Sequence, residues 1–295
     1  MGVSEAEVQV PRPVRLRFGH AAVQHVADAT GVELLHIKGA AADPSIRSAD
    51  HVASDVDVLV RPDHVDRIDA ALRTHGWELY STFEHGSPFG HAQTYLHHAW
   101  GFIDIHRYFP GIRLAPEAAF DLFWADRRQV EIGGVACPVP EVDAHAVLLV
   151  LNAARSAPGM RGDVQTAWEQ ADEATRARRR ALVERLNAEV AFAAATGGLE
   201  RHRHERDYLL WKVSSEGGSR TREWWARIRA ATSAREGLRI ALRAPLVNVE
   251  HLGHRLGRRP TRRDVVLEFL RRPVSAVGEA ARAIVRPTRR RRVMR

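Results

Sequence analysis

The 295-residue chain holds a single cysteine, Cys137, and only two lysines, Lys38 and Lys212, among its 44 basic residues. One cysteine excludes an internal disulfide and fits a reducing compartment. It also leaves His85, His91, His97 and His98 without the cysteine partner of a structural zinc site, and their spacing matches no such pattern. No stretch approaches the ~20 apolar residues of a membrane span. The longest candidate, Ala144 to Ala154, reads as a buried helix. The start, Met1-Gly2-Val3-Ser4-Glu5-Ala6, lacks the basic opening and apolar run of a signal peptide, so a cytoplasmic location is expected.

What remains is the composition of a soluble globular protein, 45% apolar and 27% charged. The net charge of +8 is unevenly spread: residues 255–295 carry +11 and the rest carries −3. Basic character therefore belongs to a C-terminal extension. Its run Arg289 to Arg292 would suit nucleic acid or an acidic membrane surface, but a solvated extension is the favoured reading.

Periodicity divides the chain. Val14 to Thr30 has helical spacing and closes at Gly31; Leu34 to Ile37 is a short apolar strand entering Lys38-Gly39. A short helix should start at Ala40 and break at Pro44. Asp55 to Val60 is a strand, and Asp63 should cap an amphipathic helix through His75. Trp77 to Thr82, Ala92 to His98 and Phe102 to His106 read as strands. Pro116 to Ala125 reads as a helix, and Val130 to Val139 as a strand pair turning at Gly133-Gly134. From Glu141 the pattern becomes helical, through Val164 to Ala174 and Arg178 to Ala195, stopping at Gly197-Gly198 and becoming less regular after Arg201. Asp163 is expected to cap a helix, and Trp211, Trp224 and Trp225 to serve helix packing. The expected organisation is an α/β (α+β) domain over residues 1–140, with a small mixed sheet and flanking helices, then a helical domain over 141–254. An arginine-rich, partly disordered extension over 255–295 would follow.

The chemistry concentrates on two strands. Alternation sends Asp55 and Asp57 to one side of their strand, Cα atoms ~6.5–7 Å apart. Two such carboxylates repel each other unless a cation sits between them, and a divalent metal with hard oxygen ligands is the commonest one. Asp104 and His106 share one face of Ile103-Asp104-Ile105-His106. Set beside the first strand, they would bring three carboxylates together, a set suited to two divalent ions roughly 3.5–4 Å apart. Mg²⁺ is the expected metal, with Mn²⁺ as its substitute. His106 is read evenly as a functional group, orienting Asp104 or ligating the metal, and as a satisfied strand histidine. Lys38-Gly39, where a strand passes into a helix, offers free N–H groups and a dipole to a phosphate. Gly39 permits close approach, Lys38 adds a point charge and Arg47 a bidentate fork.

Together, Ile37-Lys38-Gly39-Ala40-Ala41, Arg47, Ser54-Asp55-Val56-Asp57-Val58-Leu59-Val60 and Ile103-Asp104-Ile105-His106 resemble a bacterial nucleotidyltransferase-like family with a Lys-Gly motif, within the DNA polymerase β-like nucleotidyltransferase superfamily. The resemblance covers roughly residues 34–151. It implies a polymerase β-like fold in which Asp55 and Asp57 bind both metal ions. Asp104 would be the third carboxylate and help deprotonate an acceptor hydroxyl. Lys38, Gly39, Arg47 and Ser54 would bind the nucleotide, ATP or another NTP. The implied partners are that NTP and a hydroxyl acceptor on a small molecule or protein. The rival expectation is a catalytically inactive binding or regulatory module on the same fold.

Overall fold

The computed structural model describes residues 10–48, 53–84, 89–155, 161–243 and 261–267. Helix α1 (Arg12–Thr30) carries a proline in its first turn, where a missing N–H costs nothing, and ends at Gly31. Five strands follow: β1 (Leu34–Ile37), β2 (Val56–Val60), β3 (Glu78–Ser81), β4 (Ala92–His97) and β5 (Gly101–His106), with α2 (Val65–Thr74) between β2 and β3. They form one sheet in the order β1-β2-β5-β4-β3. Only β2 and β5 run parallel; the other neighbours are antiparallel.

The period of two divides the sheet between two cores. Leu34, Val56, Val58, Val60, Ile103 and Ile105 pack with Leu16, Val23 and Val26 of α1 and with Ile68 and Leu72 of α2. Leu35, Ile37 and Leu59 face the other way, into Phe120 and Phe123 of α3 (Pro116–Ala125) and Val147, Leu148 and Leu151 of α4 (Val142–Ala153). Each fully buried Val or Leu contributes about 1.5–3 kcal/mol. Strand β2, buried along its whole length, is thus anchored firmly enough to hold a carboxylate at Asp57. The hairpin of β6 (Arg128–Ile132) and β7 (Val135–Val139) lies against α1 and β1. Its turn needs positive φ at both Gly133 and Gly134, as found.

Beyond α4 the chain is helical: α5 (Arg161–Val164) continuing into a π turn (Gln165–Glu169), α6 (Glu173–Arg185), α7 (Glu189–Thr196), α8 (Tyr208–Glu216), α9 (Arg220–Ala230) and α10 (Ala234–Arg243). This is the expected mixed α/β architecture followed by helices. Several local expectations fail. Asp63 caps nothing; it lies inside a 3₁₀ turn (Pro62–His64), and α2 begins after it. The stretch 164–174 stops at the π turn, and Asp172 starts α6 by accepting the Thr175 N–H at 2.8 Å. The helical spacing read over 178–195 is realised as two helices, α6 and α7, parted at Asn187 with φ 50. Asparagine tolerates that left-handed conformation better than most residues. The region after Arg201 is more regular than expected, with Ser219 capping α9. Trp211 is buried and stacked on Phe89, whereas Trp225 is exposed and packs nothing into the core. Apart from 262–267, which is helical, the extension over 255–295 lies outside the described residues, as does His85. Among the described residues no helix is long and apolar enough to cross a membrane.

Candidate functional site

The parallel register of β2 and β5 sets Asp57 beside Asp104 and Leu59 beside His106. Asp57, Asp104 and His106 all point away from the α1 core, and their ligand atoms lie within 4.8 Å of one another. Asp57 and His106 are buried, Asp104 partly so. Antiparallel β4 places Thr94 next to Asp104, and its Oγ1 donates to the Asp104 carboxylate at 2.6 Å. Burial, and then the charge of Asp57, push the Asp104 pKa up to about 7. His106 donates through Nε2 to Asp57 Oδ1 at 2.8 Å, so it orients Asp57 and not Asp104 as one expectation had it. That bond leaves the lone pair on Nδ1, buried and without a partner. Burial lowers the His106 pKa well below the ordinary imidazole value, with Lys38 and Arg155 adding to the shift.

Asp55 stands just ahead of β2 and outside this close group. It accepts from the exposed Ser54 Oγ at 2.8 Å. Its pKa is raised by burial and then by Asp57. The three expected carboxylates therefore neighbour one another, but the tightest set is two carboxylates and an imidazole. Two adjacent carboxylates fit a divalent cation, with His106 as a third group beside them, and such a cation would relieve the part of the Asp104 shift that comes from Asp57.

At the end of β1 the backbone turns through two positive φ angles, 59° at Lys38 and 50° at Gly39. Gly39 adopts this freely, whereas a non-glycine residue there costs about 1–3 kcal/mol. Two contacts hold Lys38 in place. Its N–H donates to His145 Nε2 on α4 at 3.0 Å, and its ammonium pairs with Asp57 Oδ1. His145 stays neutral and able to accept, because burial and then Arg47 and Arg128 pull its pKa down to about 3. The helix expected after Gly39 is only a 3₁₀ turn (Gly39–Ala41), followed by a second (Pro44–Ile46). The helix dipole expected to favour an anion here is therefore missing, which leaves Lys38 and the local N–H groups.

A buried relay lies beneath Gly39. Gln24 Nε2 donates to Asp28 at 2.7 Å, so Gln24 Oε1 accepts from His36 Nε2 at 2.9 Å. His36 Nδ1 must then accept from His20 Nδ1 at 2.8 Å, which leaves a lone pair on His20 Nε2. That atom is buried without a partner and lies 3.5 Å from where a Gly39 Cβ would stand. Burial keeps His20 neutral, its pKa lowered to about 4.

Arg47 follows the second 3₁₀ turn and is half-buried. Burial lowers its pKa, opposed by the charges of Asp163 and Asp57. Asp163, expected as a cap, lies buried within α5 and accepts the Ser48 N–H at 3.1 Å, fastening the segment that bears Arg47. Sequence reasoning missed Thr94, His145 and the relay. A histidine within the apolar run of α4 was the available signal for His145, but there it reads as one more inward-facing residue.

A family model described as an uncharacterised nucleotidyltransferase matches residues 24–197, more than half of the chain. No curated protein matches it in sequence. Among solved structures it is remotely similar to the lincomycin-bound crystal structure of the lincosamide antibiotic adenylyltransferase LnuA. The identity is 14% and the TM-score 0.36, over 51% of this chain and 94% of that one. It is similar at the same identity and TM-score to the solution structure of the antibiotic-resistance factor ANT(2'')-Ia, over 64% of this chain and 96% of that one.

Proposed function

The chain belongs to this nucleotidyltransferase family, of the polymerase β-like superfamily, and from that premise we propose that it transfers a nucleoside monophosphate from an NTP to an acceptor hydroxyl, releasing pyrophosphate. The observation that carries the reading is the placement of Asp57 beside Asp104 on adjacent parallel strands, next to the Lys38-Gly39 turn. Asp55, Asp57 and Asp104 would hold two Mg²⁺ ions, with Mn²⁺ as substitute and His106 setting the orientation of Asp57. Bound there, the ions supply Lewis acidity at the α-phosphate and neutralise the leaving oxygen.

The residues divide the remaining work. Lys38 would give up its pairing with Asp57 and carry its ammonium to the triphosphate, joined by Arg47 and the Gly39 N–H, with Ser54 at the edge. The acceptor oxygen attacks the α-phosphorus, the bond to the bridging oxygen of the β-phosphate breaks, and pyrophosphate leaves. The acceptor proton passes to the Asp104 carboxylate. The acceptor class is a hydroxyl on a small molecule or a protein side chain.

The second reading is an inactive module that keeps the fold. The Lys38 ammonium on Asp57 Oδ1 favours it, since a lysine in that place satisfies the carboxylate without metal. Calorimetry with the α,β-methylene analogues of ATP, GTP, CTP and UTP separates the two. Transferase function predicts binding of at least one analogue that requires Mg²⁺ and is lost in Asp57→Asn; metal-independent binding, or none, favours the inactive module.

A further inference from the structure

None of the roles above uses the partly buried cation just beyond the C-terminus of α4. Arg155 bends back over the site: Nη2 donates to Asn152 Oδ1 at 2.9 Å and Nη1 to His91 Nε2. Its Cζ lies 5.5 Å from the centroid of the Phe109 ring, and its Nε–H is buried without an acceptor. A guanidinium has five N–H donors, so these bonds leave most of it unused. Both bonded partners are neutral, and no carboxylate of the described residues touches it. The His91 ring packs on His106, centroids 4.9 Å apart, and His106 is bonded to Asp57. Arg155 is thereby tied to the back of the carboxylate group, and Asp57 and Asp104 are the anions whose fields act on it. Both are engaged elsewhere, Asp57 with Lys38 and His106 and Asp104 with Thr94.

We propose that Arg155 binds the phosphates of the nucleotide, taking triphosphate oxygens through its free N–H groups. This rests on the nucleotidyl-transfer reading. An ion withdrawn from water with only neutral partners lacks the counter-charge that offsets its desolvation. Charge balance identifies the missing anion. While no metal is bound, Asp55, Asp57 and, above about pH 7, Asp104 stand against Lys38, Arg47 and Arg155, with Asp163 also acting on Arg47. Divalent ions on the carboxylates leave those three cations uncompensated, and a triphosphate, with about four negative charges in that setting, restores the balance. The planar fork of arginine fits phosphate oxygens in pairs, which a lysine cannot reproduce.

The test uses the full chain and its Arg155→Met and Arg155→Lys variants, each checked by thermal unfolding. Calorimetry measures the methylene nucleotide analogues with Mg²⁺ and inorganic tripolyphosphate with Mg²⁺; electron paramagnetic resonance measures Mn²⁺ alone. Arg155→Met should weaken nucleotide and tripolyphosphate about tenfold or more, the loss of one charge-assisted contact, and Arg155→Lys should recover part of it. Mn²⁺ alone should bind Arg155→Met at least as tightly as the parent, because a repelling charge is gone. A merely structural Arg155 would instead lose metal and nucleotide together, which overturns the proposal. Equal nucleotide binding by parent and Arg155→Met sinks the role of Arg155 and leaves nucleotidyl transfer standing. Arg155-dependent binding of tripolyphosphate by a parent that binds no nucleotide keeps the anion site and sinks nucleotidyl transfer. A parent that binds neither overturns both.

Discussion

Asp104 holds its proton to about pH 7 because of its own burial and then the charge of its neighbour Asp57, and a metal must displace that proton to bind. The sign follows directly. The folded pKa lies above the unfolded value, so ionisation of Asp104 costs stability, fully above pH 7 and not at all below about pH 4. Metal-free Asp104→Asn should therefore be more stable than the parent at pH 8, by about 1–3 kcal/mol in denaturant titration, and the gain should vanish near pH 4. In the parent, Mn²⁺ affinity should fall as pH drops below 7, by up to about tenfold per unit. A flat profile between pH 6 and 8 would contradict the shift. His145 gives a second test. His145→Leu leaves the partly buried N–H of strained Lys38 without its acceptor and should cost about 1–3 kcal/mol. Lys38→Gly in that background should recover part of the loss, since glycine adopts φ 59 without strain. The carboxylates were legible in the sequence because strand alternation alone puts Asp104 and His106 on one face. Which carboxylate His106 would bind was not, because that depends on the inter-strand register.

Elements with strong punctuation were read correctly: Gly31 ends α1, Gly133-Gly134 turns the hairpin, and Gly197 ends α7. Where apolar spacing continues through a break, as at Asn187, the sequence reads as one helix and the tertiary fold makes two. The helical period of α9 and α10 was there to be read, most sharply in α10, where apolar positions stand opposite arginines. The Lys38-Gly39 turn misled for a different reason. Ala40 and Ala41 favour a helix, but Pro44 arrives too soon for more than a 3₁₀ turn. The segment after it depends on α5 instead. A Cβ at Gly162 would stand 2.7 Å from Ser48 Oγ. Gly162→Ala should push that segment off Asp163 and lower nucleotide affinity through Arg47, while thermal unfolding of the core changes little. Unchanged affinity in calorimetry would show that Arg47 needs no such anchor.

At the scale of the molecule, the site joins the sheet to the helices that follow it. Asp57 and Asp104 come from strands, His145 and Arg155 from α4 and the residues just after it, and Asp163 from α5. Leu35, Ile37 and Leu59 share a core with α4, so a fragment ending at residue 140 would expose that face of the sheet. Such a fragment should bind no nucleotide, whereas a chain ending at 254 should bind it as the parent does; calorimetry on both checks this. The most direct test of nucleotidyl transfer is release of pyrophosphate from NTPs with Mg²⁺, comparing the parent with Asp57→Asn. The site geometry predicts metal-dependent release by the parent and none by Asp57→Asn, with both proteins folded. Release that survives in Asp57→Asn would contradict the assignment of the chemistry to this site.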